Sequence, residues 1–468
     1  MYKKSHIHFV GIGGIGMSGI AKILLAQGYR VSGCDVDLEQ KSVEELKSLG
    51  CTVHKGNNSQ GCHDKSIDVL VYSSAIKPHD PEICAAQERG IPIIPRALML
   101  AELMRTKFSI AITGAHGKTT TTSLISHILI EGHRDPTVII GGHLHSISTN
   151  ARWGAGDFLV AEADESDRSL LRLYPTIAVV TNIDREHLDT YKDLDDIKQT
   201  FAQFLTNLPF YGKAIVCNDD PHIKSLLPLA HSATVRYGLD ATADIYADNV
   251  VLGEDCSQFT VHVKNHDEDI VLGDMCLSMP GKHNVLNSLA AIAVARELDV
   301  PLVVIQAALT SFKGVDRRFT FKGTYKGAEL FDDYGHHPTE IYHTLLVARK
   351  RARNKLIVVF QPHRYTRTQK LWTDFVSTFA VGTIDHLMIT DIYPASEEAI
   401  AGITSELMVN DIRAQIPQGS VEYVPLQDNF SALRERLDAL VQEGDLVLFL
   451  GAGKVNKLAV SLTKVPEV

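Results

Sequence analysis

The sequence predicts an α/β chain of three domains built on mainly parallel sheets. Three observations carry this reading. Short runs rich in Val, Ile and Leu alternate with longer amphipathic segments along most of the chain. Two glycine loops each follow such a run and open a helical segment. The length, 468 residues, exceeds what one ordinary core accommodates.

The apolar runs are His6–Val10, Asp68–Tyr72, Phe108–Thr113, Phe158–Ala161, Ile177–Asn182, Lys213–Cys217, Lys355–Gln361, His386–Thr390 and Leu446–Gly451. Runs this continuous belong to strands covered on both faces, as in parallel sheets. Two regions break the rhythm. Residues 232–279 read as short alternating strands with turns at Asp248-Asn249, Gly253-Glu254-Asp255 and Asn265-His266-Asp267, an antiparallel appendage. Lys313-Gly314-Val315-Asp316 then punctuates the chain before a fresh α/β run. Boundaries fall near 105 and 317, giving domains at 1–105, 106–317 and 318–468.

Composition narrows the class. Hydrophobic residues make up 45% and charged residues 22%, an ordinary globular mix. Lys+Arg of 46 against Asp+Glu of 56 gives a formal charge of -10, the wrong sign for a nucleic-acid binder. No apolar run is long enough to cross a bilayer, and the first residues lack a signal-peptide core. The seven cysteines are scattered without a Cys-x-x-Cys pair. They read as reduced thiols of a cytoplasmic protein, a monomer or weak homodimer, with no nucleic-acid partner and no membrane insertion.

After His6–Val10 comes Gly11-Ile12-Gly13-Gly14-Ile15-Gly16, a full G-x-G-x-x-G, then a helical Met17–Gln27. A second strand over Tyr29–Gly33 leads to Asp35, where a ribose-binding acid is expected. Glycines permit the tight turn and let a pyrophosphate approach the positive helix N-terminus. The first domain is therefore Rossmann-like. Taken alone, the motif fits NAD as well as a UDP-sugar, and the same glycines would also serve plain strand–helix packing.

The strand Phe108–Thr113 runs into Gly114-Ala115-His116-Gly117-Lys118-Thr119-Thr120, followed by a helix-like Ser123–Glu131. This is the P-loop arrangement, with Lys118 reaching the β/γ oxygens and the Thr119 hydroxyl on Mg²⁺. It departs from the generic pattern in having two residues between the glycines where four are usual. An oxidoreductase has no use for this loop. Further on, Phe158–Ala161 ends at Glu162-Ala163-Asp164-Glu165-Ser166-Asp167. A carboxylate at a strand's C-terminal end suits a nucleotide-bound cation, and Glu162 is the better candidate. Asp164 and Asp167 also fit a helix N-terminus. His187 follows the next strand, Ile177–Asn182, so hydroxyl, carboxylate and imidazole would meet around one cation.

These strings continue in Gly281-Lys282-His283-Asn284-Val285-Leu286-Asn287, in Asp333-Tyr334-Gly335-His336-His337-Pro338-Thr339-Glu340 and in Gln361-Pro362-His363-Arg364-Tyr365-Thr366-Arg367. In that order they resemble the Mur ligases, the ATP-dependent amino-acid ligases of peptidoglycan synthesis. The resemblance spans essentially the whole chain, and the family's short loop accounts for the spacing at Gly114–Gly117. It implies a Rossmann-like N-terminal domain, a central P-loop-type ATPase domain and a C-terminal Rossmann-like domain that closes over the site. It further implies that UDP-N-acetylmuramate is held by Gly11, Gly13, Gly14, Ile15, Gly16, Asp35, Ser73, Ser74 and Asn150. ATP would be held by Gly114, Ala115, His116, Gly117, Lys118, Thr119, Thr120, His283, Asn284 and Arg318. The implied Mg²⁺ ligands are Thr119, Glu162 and His187. Tyr334, His336, His363, Arg364 and Arg367 would meet the amino acid. Sister ligases carry a carbamylated lysine past the histidine, and Lys192 and Lys198 are candidates here by proximity alone.

The implied reaction activates the lactyl carboxylate as an acyl phosphate, which the amine of L-alanine then attacks. Lys118, His187, His336 and Arg364 are the residues expected to carry it, with His187 and His336 as alternative bases. Three rivals are an NAD-linked oxidoreductase, a non-catalytic ATP-binding regulator and the recycling ligase that joins an intact tripeptide to the same sugar nucleotide. The pairs His143/His145 and His336/His337 lack a further ligand at zinc spacing. The basic run Arg349–Lys355 reads as a solvated helix end.

Overall fold

A computed structural model describes residues 5–56, 64–73, 75–144, 149–226, 233–265, 268–381, 383–395, 397–416, 420–427 and 429–463. Its strands form three sheets. The first contains β1 (His6–Val10), β2 (Arg30–Asp35), β3 (Thr52–Lys55), β4 (Val69–Tyr72) and β5 (Ile93–Pro95), all parallel, in the order β3-β2-β1-β4-β5.

The second sheet has ten strands. They are β6 (Phe108–Thr113), β7 (Thr137–Leu144), β8 (Thr149–Arg152), β9 (Phe158–Glu162), β10 (Ile177–Val180), β11 (Lys213–Cys217), β12 (Ala233–Gly238), β13 (Ile245–Leu252), β14 (Ser257–Asn265) and β15 (Glu268–Leu277). Their order is β15-β14-β13-β12-β11-β10-β6-β9-β7-β8. The third sheet, in the order β16-β17-β21-β18-β19-β20, contains β16 (Thr320–Tyr325), β17 (Ala328–Asp333), β18 (Leu356–Phe360), β19 (His386–Ile389), β20 (Ser420–Tyr423) and β21 (Leu446–Leu450).

The α/β class with mostly parallel sheets is as the sequence predicted. Its central strands are apolar on both faces, and β1, β18 and β21 are buried along their whole length. One expectation is corrected. Residues 232–279 are not an appendage: β12 pairs parallel to β11 and β13 parallel to β12, and β14 and β15 then prolong the same central sheet as antiparallel neighbours. Alternation was legible there, but the strand each run would pair with was not. A second correction concerns the helix after the phosphate loop, which begins at Lys118 rather than Ser123. The threonine run Thr119–Thr122 is its buried first turn.

Chain order explains where function is built. Strand β1 lies between β2 and β4, and β6 lies between β10 and β9. In parallel sheets the loops leaving such central strands open a crevice at the carboxyl edge, flanked by the loops of both neighbours. Glu162 on one side and residues 181–187 on the other therefore flank the phosphate loop.

The apolar core is shared unevenly. A single buried cluster runs from the first sheet (Ile7, Phe9) through Met99–Met104 into the central sheet (Ile110, Val160, Val179). The third sheet has its own cores, one around Phe360 and Phe375 and another around Phe449 and Leu433. It meets the rest of the chain through polar groups: Thr339 Oγ1 donates to Asp184 Oδ2 (2.7 Å), Lys370 Nζ to the Leu188 carbonyl (2.7 Å), and Arg364 Nη1 to Asp189 Oδ2 (3.2 Å). Polar contacts of this kind characterise domain interfaces that open and close. The basic run begins in the last turn of the helix Pro338–Arg351, where Arg351 pairs with Glu329 at 2.8 Å and Arg349 with Asp385 at 2.6 Å, and continues past the helix end.

Candidate active site

The phosphate loop needs its glycines. Gly114 and Gly117 have φ of +135° and +82°, and a Cβ on either would lie 2.0 Å from Thr181 Oγ1 or 2.5 Å from Asn287 Oδ1. The loop is fixed from the neighbouring strand end: the His116 amide donates to Asn182 Oδ1 (2.8 Å), and Thr181 Oγ1 donates to the His116 carbonyl (2.6 Å). Lys118 opens the helix, with Nζ donating to the Gly114 carbonyl (2.6 Å), the Ala115 carbonyl (3.0 Å) and Glu165 Oε1 (2.7 Å).

Two cavities meet at this loop. The smaller, about 330 Å³, is lined by His116, Gly117, Thr120, His283, Asn284 and Arg318 with largely apolar walls including Met279 and Pro280. His283 is uncharged there, since burial pushes its imidazole down to about 3. Asn284 is steadied by donation to the Pro280 carbonyl at 2.7 Å. The larger, about 530 Å³, draws on all three sheets. Gly14, Ile15, Gly16 and Ser73 come from the first, Lys118, Thr119, Glu162, Glu165 and His187 from the second, and Arg318, Tyr334 and His336 from the third. Ala115 and Gly117 line it too. Both volumes lie in the range of small-molecule sites.

Around the larger cavity the acids are desolvated. Burial raises the Glu162 carboxyl, opposed by the Gly141 amide that donates to it at 2.9 Å, by Lys118 and by the Thr119 hydroxyl. Glu165 Oε2 is buried without a hydrogen-bond partner. His187 Nε2 lies 3.3 Å from Glu165 Oε1 and 3.7 Å from Glu186 Oε2. Ligand atoms of Glu165, Glu186 and His187 all lie within 4.8 Å of one another. Oxygen-rich surroundings with a buried orphan carboxylate oxygen fit a hard divalent cation. His187 is held with φ of +51° and Arg364 with φ of +71°, left-handed backbone that is uncommon for side chains of this kind.

The third domain contributes neutral imidazoles. His336 is pushed down to about 4, chiefly by burial, and its Nδ1 lies 3.0 Å from the Tyr334 carbonyl. That contact makes Nδ1 the donor and leaves Nε2 as an acceptor. His363 stacks on Tyr393 at 5.4 Å, while Arg367 Nη1 lies 3.1 Å from His363 Nδ1. Arg364 Nε pairs with Glu397 at 2.9 Å. Arg364 and Arg367 line a third, small pocket of about 20 Å³ together with Glu186, His187, Leu188 and Asp189.

Three expectations place differently. Asp35 does not face the cavity: its carboxylate accepts the Gly13 amide at 2.7 Å and so closes the glycine loop on itself. Asn150 is buried between domains, its Nδ2 donating to the Ile15 carbonyl (2.6 Å) and to Ser18 Oγ (3.2 Å), its Oδ1 accepting from Lys22 (2.8 Å). Lys192 and Lys198 line neither cavity, and Lys198 pairs with Asp195 at 3.4 Å. Ser74 and His145 lie outside the described residues.

Sequence reasoning missed Arg96, Asp184, Glu165, Glu186 and Glu340. Arg96 sits over Gly16, where a Cβ would lie 2.8 Å from its Nη1, and pairs with Asp164 at 3.0 Å. It stands beside the start of the helix Ile15–Ala26, where Gly14 supplies no side-chain cap. Glu165 was visible only as one of four acids in a run.

The chain matches three Mur ligase family profiles end to end: "Mur ligase family, catalytic domain" over residues 6–108, "Mur ligase middle domain" over 112–295 and "Mur ligase, glutamate ligase domain" over 317–453. It is 50% identical over 460 residues to a UDP-N-acetylmuramate–L-alanine ligase of Syntrophus aciditrophicus, covering 98% of this chain and 93% of that one. It is 49% identical over 465 residues to the Geotalea uraniireducens protein of the same name, covering 99% of each. Among solved structures, the UDP-N-acetylmuramate–alanine ligase of Thermotoga maritima superposes with a TM-score of 0.80 at 26% identity, over 98% of both chains. A murein peptide ligase of Psychrobacter arcticus shares the fold at 23% identity, with a TM-score of 0.72 over 99% of this chain and 100% of that one. The chain belongs to the Mur ligase family.

Proposed function

We propose that this protein joins L-alanine to the lactyl carboxylate of UDP-N-acetylmuramate at the expense of ATP, releasing ADP and phosphate, in peptidoglycan precursor synthesis. One observation carries the reading: the glycine loop of the first domain, the phosphate loop of the second and the Tyr334–His336 segment of the third open into one cavity. Full-length relatives of about half identity that bear the matching name support it.

A carboxylate does not acylate an amine at neutral pH, because its oxygen is too poor a leaving group. Transfer of the ATP γ-phosphoryl gives an acyl phosphate, the amine attacks the carbonyl carbon, and the C–O bond to phosphate breaks. In this reading the adenine end of ATP occupies the smaller cavity beside His283 and Asn284. Its phosphates run along Gly114–Thr120, and Arg318 lines both spaces. Lys118 then leaves its carbonyl and Glu165 partners and neutralises charge on the transferring group. Thr119, Glu162 and His187 are the residues that would hold Mg²⁺, which when bound supplies further charge neutralisation at the phosphates.

The sugar nucleotide lies against Gly14, Ile15, Gly16 and Ser73, with Arg96 at its diphosphate. Gly11, Gly13 and Asp35 shape that loop, and Asn150 holds it to the central domain. Arg364 and Arg367 suit a carboxylate, being planar forks of donors. His336, uncharged with Nε2 as acceptor, takes the amine proton; His187, as a cation ligand, is not free to do so. The domain divisions near 105 and 317, a cytoplasmic location and a monomer or weak homodimer complete the reading.

The recycling reaction with a tripeptide has less support, since the full-length relatives of about half identity are named L-alanine ligases while the murein peptide ligase of Psychrobacter arcticus is 23% identical. An NAD-linked reaction leaves the phosphate loop idle. Phosphate release from ATP, measured with UDP-N-acetylmuramate and a panel of amino acids and the tripeptide, tests the proposal. Release with L-alanine is expected; release without any sugar nucleotide, or with the tripeptide alone, rejects it.

A further inference from the structure

We propose that Glu186 receives the ammonium group of the incoming amino acid and so sets the amine between the arginine pocket and the phosphoryl cavity. The inference rests on the ligase reading above. Among the described residues only Glu186 and His187 line both spaces. An amino acid held by its carboxylate at Arg364 and Arg367 must present its nitrogen toward the larger cavity, and Glu186 stands on that line.

The surroundings of Glu186 suit a cation that is not part of the protein. The residue is 7% exposed. Within 4 Å stand Arg367 Nη2 at 3.4 Å, the uncharged His336 imidazole with Nε2 at 3.7 Å, and His187 Nε2 at 3.7 Å. Charge-assisted bonds run at about 2.7–2.9 Å, so Arg367, whose Nη2 donates to Oε1 at 3.4 Å, holds the carboxylate only by a long bond. An ammonium, with three donors on a compact centre, bridges such a gap, and a buried carboxylate gains most from a partner at full hydrogen-bond contact.

Each other acid there borders only one of the two spaces, Glu165 and Glu340 the larger cavity and Asp189 the arginine pocket. Glu165 is engaged by Lys118 at 2.7 Å, and Asp189 bonds Arg364 at 3.2 Å. Glu340 faces Arg318 at 3.7 Å and His116 at 3.4 Å. A zwitterion needs one anion beside a cationic pair within a few ångströms. Glu186 beside Arg367 is that arrangement, and it places the nitrogen next to His336 Nε2.

Hydroxylamine separates this role from others, because it is an uncharged nucleophile at neutral pH and needs no anionic dock. With UDP-N-acetylmuramate and ATP it would trap the activated acyl group as a hydroxamate. In Glu186→Gln, kcat/KM for L-alanine is expected to fall roughly ten- to a hundredfold relative to that for hydroxylamine, the cost of losing a charge-assisted contact. The ratio is taken within one sample and is therefore insensitive to the fraction folded. Glu186→Asp should recover part of it. An unchanged ratio, with both nucleophiles falling in parallel, overturns the proposal and assigns Glu186 to cation binding with Glu165 and His187. Wild-type enzyme that uses neither nucleophile rejects the ligase reading itself, and this proposal with it.

Discussion

The imidazole of His116, on the phosphate loop, spans two domains: Nε2 lies 2.8 Å from Asp184 Oδ2 and Nδ1 lies 3.4 Å from Glu340 Oε1, in the first turn of a third-domain helix. Burial disfavours its charged form, but the bonds to Asp184 and Glu340 outweigh that and push it up to about 10. The ring also packs 4.7 Å from His337. His116 thus ties the Gly114–Lys118 loop to the helix Pro338–Arg351.

A pH dependence of docking follows. The pKa of His116 is raised in the folded chain, so its contribution is complete below the unfolded value near 6.5 and fades as pH climbs toward about 10. Small-angle scattering of the ligand-free protein should show expansion between pH 7 and 10. His116→Asn should weaken docking by about 3 kcal/mol and remove most of that dependence. Proteolysis near residues 312–316 reports the same opening, and identical pH profiles for both proteins would refute the latch.

Asn150 separates a structural tie from a substrate contact. Its amide is fully engaged by Ile15, Ser18 and Lys22. Asn150→Ala strands buried partners and should lower stability by about 2 kcal/mol in urea titrations. The KM for UDP-N-acetylmuramate should rise only severalfold. A large rise in KM with an unchanged urea midpoint would restore it to the sugar-nucleotide site.

The contrast between Asn150 and Lys118 marks what the sequence makes legible. Lys118 sits inside a contiguous string whose strand, glycines and helix are all local, so its place could be read directly. The parallel strands were equally plain, because burial on both faces writes itself as an unbroken apolar run. Asn150 owes its role to partners some 130 positions away in sequence. Glu186 and Glu340 owe theirs to a domain interface that no local pattern encodes. Asp35 was found at the expected spacing, yet which way its carboxylate turned depended on the Gly13 amide. Strand content in 232–279 was readable while its attachment to β11 was not, since pairing is a property of the assembled sheet.

Glu162 should govern the cation requirement. Its carboxyl is raised by burial and faces the Thr119 hydroxyl, a position where a divalent ion would relieve the desolvated charge. Glu162→Gln keeps the shape and removes the charge. The Mg²⁺ concentration for half-maximal ADP release should rise about tenfold or more, with the KM for L-alanine little changed. An unaltered Mg²⁺ titration would remove Glu162 from the ligand set.

Lys118 joins two roles that one substitution confounds. Its ammonium offsets Glu165, whose Oε2 is buried and without a hydrogen-bond partner, and it stands where the phosphoryl group is expected. Lys118→Ala should lower ADP release by about a thousandfold or more, through lost charge stabilisation. It should also destabilise the central domain, because the buried Glu165 carboxylate is left with only His187 at 3.3 Å as a partner. Adding Glu165→Gln removes that stranded charge, so the double variant should regain thermal stability while remaining inactive. Recovery of turnover together with stability would mean that Lys118 serves the fold and that another group handles the phosphate.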